Sequence, residues 1–154
     1  MKLFRLLASL LTLMLLHPKD ASGQPSAAGG GDAERLHGHW TLTRLTDEGV
    51  EHPLGSAGTV LHFAPGDGMD GRAAVNDYVG QYAADPAGGL RWLTSTRSTR
   101  RGGPAELLRL ESAYLHALSI VTRWDIVSDG SELHLSTADG KTVLAFRRQA
   151  NPPS

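Results

Sequence analysis

Apolar and polar positions alternate along most of this chain, and the period changes once. Over residues 36–45 (L-H-G-H-W-T-L-T-R-L), Leu36, Gly38, Trp40, Leu42 and Arg44 fall on one side and His37, His39, Thr41 and Thr43 on the other. That alternation predicts a half-buried first strand with Trp40 in the core. Residues 47–58, with Pro53 and three glycines, predict a loop, and residues 59–63 a second strand. Pro65-Gly66-Asp67-Gly68 is a turn signal leading to a weaker strand at residues 69–75. Asn76-Asp77 is expected to be the corner after it, and residues 78–83, 90–93 and 95–98 to extend the sheet. From residue 105 to 119 the period becomes helical: Leu107, Leu110, Tyr114 and Leu118 recur on one face, flanked by Leu108 and Leu115, with Pro104 suited to the first turn. Three more strands follow at residues 122–127, 132–136 and 142–146, joined by the hairpin dipeptides Asp129-Gly130 and Asp139-Gly140. Trp124 with Ile126, Leu133 with Leu135, and Leu144 with Phe146 are their inward residues. The tail from Arg147 onward, polar and ending near two prolines, is expected to fray. The fold class predicted is mainly β: a curled antiparallel sheet or small lipocalin-like barrel of about eight strands, with one helix at about 104–119 packed against it.

The amino terminus changes the picture of where the chain works. Lys2 and Arg5 precede an apolar run over residues 6–16, and Ala21-Ser22-Gly23 supplies small residues suited to cleavage before Gln24. The run is too short for a comfortable membrane span, which needs roughly 20 residues. Residues 1–23 are therefore expected to be a cleaved export signal, with retention as an interfacial anchor the alternative. No cysteine follows the run, so the expected product is periplasmic or secreted and not a lipoprotein. Residues 24–33 are expected to form a flexible leader, residues 34–148 the folded domain, and residues 149–154 a disordered tail.

Removing Lys2, Arg5, Lys19 and Asp20 from 15 basic and 16 acidic residues leaves 12 and 15, a net charge of −3. That mixed balance argues against nucleic acid as the main partner. With no cysteine in the sequence, disulfides, thiolate nucleophiles and cysteine-containing zinc sites are excluded together.

Residues 71–82 (G-R-A-A-V-N-D-Y-V-G-Q-Y) are the stretch around which the chain is organised: in an extended segment Tyr78, Gly80 and Tyr82 share one face. This segment resembles the core motif of the META domain, or HslJ-like, family of heat-inducible bacterial proteins. Trp40 in the first strand, the Thr96-Arg97 pair before the helix, and Glu111, Tyr114, Leu115, Ala117 and Leu118 within it fit the same pattern. So do Asp139-Gly140-Lys141 and Leu144-Ala145-Phe146, and the similarity spans residues 34–148. Gly71, Val75, Asn76, Tyr78, Gly80, Tyr82, Trp40, Thr96, Arg97, Glu111, Leu118, Gly140 and Phe146 are the motif positions, and the resemblance implies a structural role for them. Where the family motif commonly has a cysteine before the asparagine this chain has Val75, and a second, near Thr99 or Arg100, is also missing. The resemblance implies a lipocalin-like barrel crossed by a helix, exported or membrane-attached, linked to stress, virulence or drug tolerance, with no established reaction.

Candidate chemistry is sparse. His37 and His39, two apart on the outward face, could present two imidazoles to one metal ion, with Asp32, Glu34 and His62 as further donors, but a polar strand face accounts for them without metal. His116 and His134 are expected at the surface. Asp67 and Asp70 sit in a turn lacking the length and closing glutamate of a calcium loop. Ser56, Ser95 and Ser98 lack the frame of a nucleophile elbow. Arg91, Arg97, Arg100 and Arg101 form a basic cluster before the helix, able to meet an anion or to be balanced by Glu106 and Glu111. Glu111 lies at the edge of the apolar stripe, and Arg97 is its expected partner. No enzyme, cofactor or metal is therefore expected. The expected function is a non-enzymatic exported domain, stress- or envelope-associated, acting through a surface contact with cell-envelope proteins. The alternative is a carrier that binds a small apolar ligand inside the barrel.

Overall fold

The computed structural model describes residues 33–150. Ten strands and one helix follow in order: β1 Gly38–Asp47, β2 Val50–His52, β3 Val60–Phe63, β4 Gly68–Ala73, β5 Asn76–Ala84, β6 Leu90–Trp92, β7 Arg97–Ser98, α1 Ala105–Ile120, β8 Arg123–Val127, β9 Glu132–Ser136 and β10 Val143–Arg148. All pairs are antiparallel, in the order β6-β5-β4-β3-β1-β10-β9-β8. β2 adds to the far end of β1 and β7 to the near end of β5. The two outer edges then meet: Leu90 N–H donates to Thr122 C=O at 2.8 Å and Trp124 N–H to Gly88 C=O at 2.9 Å. These bonds draw the sheet into a nearly closed barrel, which leaves little open edge. The chain departs after β7, lays α1 against β1, β4 and β10, and returns through β8.

The mainly β class, the curled sheet and the single helix match the sequence reading, while several local expectations do not. Residues 33–36 form a 3₁₀ turn rather than the start of β1. Its end is fixed because the Trp40 indole N–H donates to Leu36 C=O at 2.8 Å. Strict alternation places Arg44 in the core, but the register of β1 against β10 slips between Leu42 and Arg44. This bulge makes Thr43 the extra residue, so the exposed Arg44 points away and Leu45 is fully buried. The loop predicted for residues 47–58 contains β2, reached through Glu48 and Gly49, whose φ values are 48° and 80°.

The carboxyl end is also better fixed than its composition predicts. β10 runs to Arg148, and Gln149 N–H donates to His39 C=O at 2.8 Å. The Arg148 guanidinium lies 4.0 Å from the centre of the Trp40 ring and donates to Gly130 C=O at 2.9 Å, His37 C=O at 2.9 Å and Arg35 C=O at 2.6 Å. Burial first, and Arg35 second, pull its pKa below the usual arginine value. Three backbone carbonyls satisfied by one rigid fork tie both ends of the domain together. Arg148→Met keeps the apolar stem over Trp40 but leaves those carbonyls without this donor. A loss of about 2 kcal/mol in urea unfolding is expected, with Arg148→Lys recovering less than half of it.

The interior is aromatic and leucine-rich. Trp40, Phe63, Tyr78, Tyr114, Phe146 and seven leucines have under 2% of their surface exposed. The buried face of α1 carries Leu110, Glu111, Tyr114, Ala117 and Leu118, with Leu107 and Leu108 only half-buried. A carboxylate thus lies within the buried face of the helix.

Candidate functional site

The corner expected at Asn76-Asp77 lies two residues earlier. β4 pairs with β5 in register from Gly68 opposite Gln81 to Ala73 opposite Asn76, so Asn76 and Asp77 open β5, and Ala74 and Val75 make the turn. Val75 N–H donates to Ala73 C=O at 2.8 Å around Ala74, whose φ is 66°. This is a γ-turn of the strained, positive-φ kind, occupied here by an ordinary L residue.

Glu111 holds that turn from the helix. Its Oε2 accepts from Val75 N–H at 3.0 Å and Asn76 N–H at 2.7 Å, and its Oε1 accepts from Asn76 Nδ2 at 2.7 Å. Asn76 then passes the link onward: Nδ2 also donates to Arg101 C=O, while Oδ1 accepts from Thr99 Oγ1 at 2.8 Å and Arg101 N–H at 2.6 Å. Both amide protons and both lone pairs of Asn76 are used, as a 3%-exposed amide requires. Glu111, expected to pair with Arg97, bonds to the β4–β5 turn instead. Arg97 lies exposed in β7 opposite Val79. Helix, hairpin and the segment before the helix are joined through one carboxylate and one amide.

Beneath this lock lies a tyrosine pair. Gly71 faces Tyr78 across β4 and β5, and a Cβ at Gly71 would run into the Val60 carbonyl and the Tyr78 hydroxyl. The bare glycine lets the Tyr78 phenol lie across the strand. Its hydroxyl sits 3.0 Å from Val60 C=O, to which it donates, and 2.6 Å from the Tyr114 hydroxyl on α1. Gly80 is covered by Met69, its cross-strand neighbour. Tyr82 packs edge-on against Phe63 with ring centres 4.6 Å apart, and its hydroxyl donates to Ala64 C=O. Of the remaining motif residues, Leu118 and Phe146 are fully buried, Thr96 is half-buried, and Gly140 takes φ 70° in the β9–β10 turn.

Burial raises the pKa of Tyr78, Tyr82 and Tyr114, with Tyr114 as a further cause at Tyr78 and Asp67 at Tyr82. These are all three tyrosines of the chain. Unfolded tyrosines release protons near the ordinary value of 10.0, which the folded ones keep. Stability from the neutral phenols is therefore complete below that pH and is lost as pH climbs through and beyond it. In an alkaline titration, tyrosinate absorbance is expected to rise together with loss of circular dichroism. Ionisation of the phenols near pH 10 in a protein with native dichroism would contradict this.

The surface candidates separate in space. His39 stacks on His62 with ring centres 4.0 Å apart and planes 9° from parallel, and His62 Nδ1 lies 2.9 Å from Asp70 Oδ1. His37 contributes its carbonyl to Arg148. Among the described residues no group of three or more His, Cys, Asp or Glu side chains is placed to hold a metal ion. Asp32 lies outside the described residues. Asp67 bonds Gln81 Nε2, and Asp77 pairs with Arg72 and Arg101, which divides the basic cluster. His116 is exposed and meets Asp47, whose other oxygen accepts from Thr142 Oγ1. His134 lies half-buried on the outward side of β9, 3.9 Å from Glu132. Sequence reasoning missed Arg148, Thr99 and Tyr114 as polar partners. Tyr114 was legible only as a core residue of the stripe, and no local signal marks the other two.

The fold is an antiparallel, nearly closed barrel crossed by one helix, whose carboxylate Glu111 bonds to the β4–β5 hairpin. This chain belongs to the META domain family: the family model matches residues 33–150. The NMR structure of a protein from Burkholderia xenovorans superposes with a TM-score of 0.66 at 22% identity, covering 88% of this chain and 98% of that one. The crystal structure of a DUF4847 family protein from Bacteroides vulgatus superposes with a TM-score of 0.51 at 13% identity, covering 75% and 96%. At these identities both likenesses concern the fold. Among curated proteins, none matches the chain.

Proposed function

We propose that this META domain chain is a non-enzymatic exported domain, associated with stress or the cell envelope, that works through a contact on its outer face. The observation that supports this reading is the filled interior. Trp40, Phe63, Tyr78, Tyr114 and Phe146 are fully buried there together with the leucines. Glu111, Asn76 and the tyrosine hydroxyls are bonded to one another or to backbone. A carrier of apolar ligands needs that volume for its cargo. Export rests on residues 1–23, which lie outside the described residues, and no helix among the described residues is long and apolar enough to cross a membrane. The test is a fluorescence titration of the protein, as processed by its cell, with an environment-sensitive apolar dye and a lipid panel. No saturable binding is expected. One-to-one saturation coupled to a change in tryptophan emission would replace this reading with the carrier.

A further inference from the structure

The sequence pairs His39 with His37; the structure pairs it with His62 instead. His39 on β1 lies directly opposite His62 on β3, and His62 directly opposite Asp70 on β4. Their strand neighbours Trp40, Leu61, Phe63 and Met69 are buried, so the three side chains form one row on the outer face of the barrel. His37 lies apart from the row, lining a cleft with Gly66 and Asp67. The two imidazoles of the row stack with centres 4.0 Å apart and planes 9° from parallel. His62 Nδ1 lies 2.9 Å from Asp70 Oδ1. An ionised carboxylate can only accept, so Nδ1 carries the proton, and the lone pair of the neutral ring stays on Nε2, the nitrogen farther from the backbone. His39 has no hydrogen bond at either ring nitrogen among the described residues. The pair thus offers two unspent lone pairs. One of them sits on a ring whose orientation and basicity a carboxylate sets, the arrangement that prepares a histidine for a metal.

We propose that His39 and His62 together bind one divalent transition-metal ion, Cu²⁺ most tightly, with Asp70 as the positioning residue behind His62. Neutral imidazole suits Cu²⁺, Ni²⁺ and Zn²⁺, whereas Mg²⁺ and Ca²⁺ require oxygen donors. Metal–nitrogen bonds of about 2.0–2.1 Å place two ligand nitrogens on one ion about 3 Å apart. The stacked rings reach that spacing by closing about 1 Å, through rotation of side chains that meet solvent. His39 is exposed, and His62 keeps 25% of its side-chain surface. Asp70 stands on the far side of His62, two strands from His39, so it acts on the ligand and not on the ion. No third His, Asp or Glu among the described residues completes the set, which leaves the other positions on the ion to water. The inference goes beyond the outer-face contact proposed for the domain and does not rest on it. Dye binding inside the barrel would overturn that reading and leave the histidine pair untouched.

The experiment is an NMR titration of the ¹⁵N-labelled protein, as processed by its cell, with Cu²⁺ and separately with Zn²⁺ in a buffer that does not coordinate metal. Substoichiometric Cu²⁺ is expected to broaden the ring signals of His39 and His62 ahead of those of His37, His52, His116 and His134. Calorimetry should give one ion per chain, with micromolar affinity for Cu²⁺ and weaker binding of Zn²⁺. His39→Gln, at an exposed position, is expected to leave metal-free urea unfolding unchanged. It should weaken Cu²⁺ binding at least about tenfold, because attachment to two rings becomes attachment to one. Asp70→Asn keeps both ligands and is expected to weaken binding about tenfold. Since the ion joins β1 to β3, saturating Zn²⁺ should raise the urea midpoint of the parent and not that of His39→Gln. The proposal is overturned if Cu²⁺ broadens another histidine first, or if none responds up to about 1 mM. Binding by His39→Gln, His62→Gln or Asp70→Asn within about twofold of the parent overturns it equally.

Discussion

Glu111→Ala is expected to lower the free energy of unfolding by about 3–4 kcal/mol, a large part of the 5–15 kcal/mol typical of a domain. The substitution strips the acceptor from Asn76 N–H and from one proton of Asn76 Nδ2, and leaves Val75 N–H with only its bent bond to Ala73. It also releases a turn that holds Ala74 at φ 66°. Glu111→Gln is the sharper test, because both carboxylate oxygens face donors. Whichever way the amide is turned, its NH₂ meets an N–H group, so Gln is expected to cost at least half as much as Ala. A double-mutant cycle with Asn76→Ala should give strong coupling, since the two side chains share one network. Glu111→Gln within about 0.5 kcal/mol of the parent in urea unfolding would show that the helix carboxylate does not hold the hairpin.

Gly71→Ala is expected to cost more than about 3 kcal/mol or to prevent folding into a soluble domain, the upper range of overpacking. The added methyl meets the Val60 carbonyl, which is fixed in β3, and the Tyr78 hydroxyl at 2.6 Å. Pairing the substitution with Tyr78→Phe removes one obstacle and leaves the carbonyl, so the double variant is not expected to recover. Gly80→Ala provides the contrast within the same motif. Its nearest obstacle is the terminal Cε of Met69, which can swing aside, so a cost of about 1 kcal/mol is expected. Thermal unfolding of the two variants side by side decides the matter: equal losses would remove the special role of Gly71.

These residues also show how far the sequence could be read. Alternation gave the strand identities and the inward set from Trp40 to Phe146, because a two-residue period is a local property of a half-buried strand. It misassigned Arg44 because a one-residue bulge is invisible when either phase leaves a leucine available, Leu42 before it and Leu45 after it. The dipeptide Asn76-Asp77 carried every local mark of a turn, yet tertiary bonds from Glu111, Thr99 and Arg101 draw Asn76 into β5 and leave the strain on Ala74. Glu111 stood out as a charge beside an apolar stripe, but its partner lies 35 residues away in sequence, and Arg97 was merely nearer.

The position of the first strand sets the order in which this molecule can be made. β1 lies between β3, its early neighbour, and β10, the last strand, with Trp40 opposite Arg148. During synthesis the strands up to β7 can pair among themselves, but one side of β1 stays open until almost the whole chain has emerged. The latch of Arg148 on Arg35 and His37 closes later still. A nascent chain of this design therefore cannot complete the sheet on both sides of β1 until β10 is available. The delay is written into the strand order and would persist if every surface residue were changed.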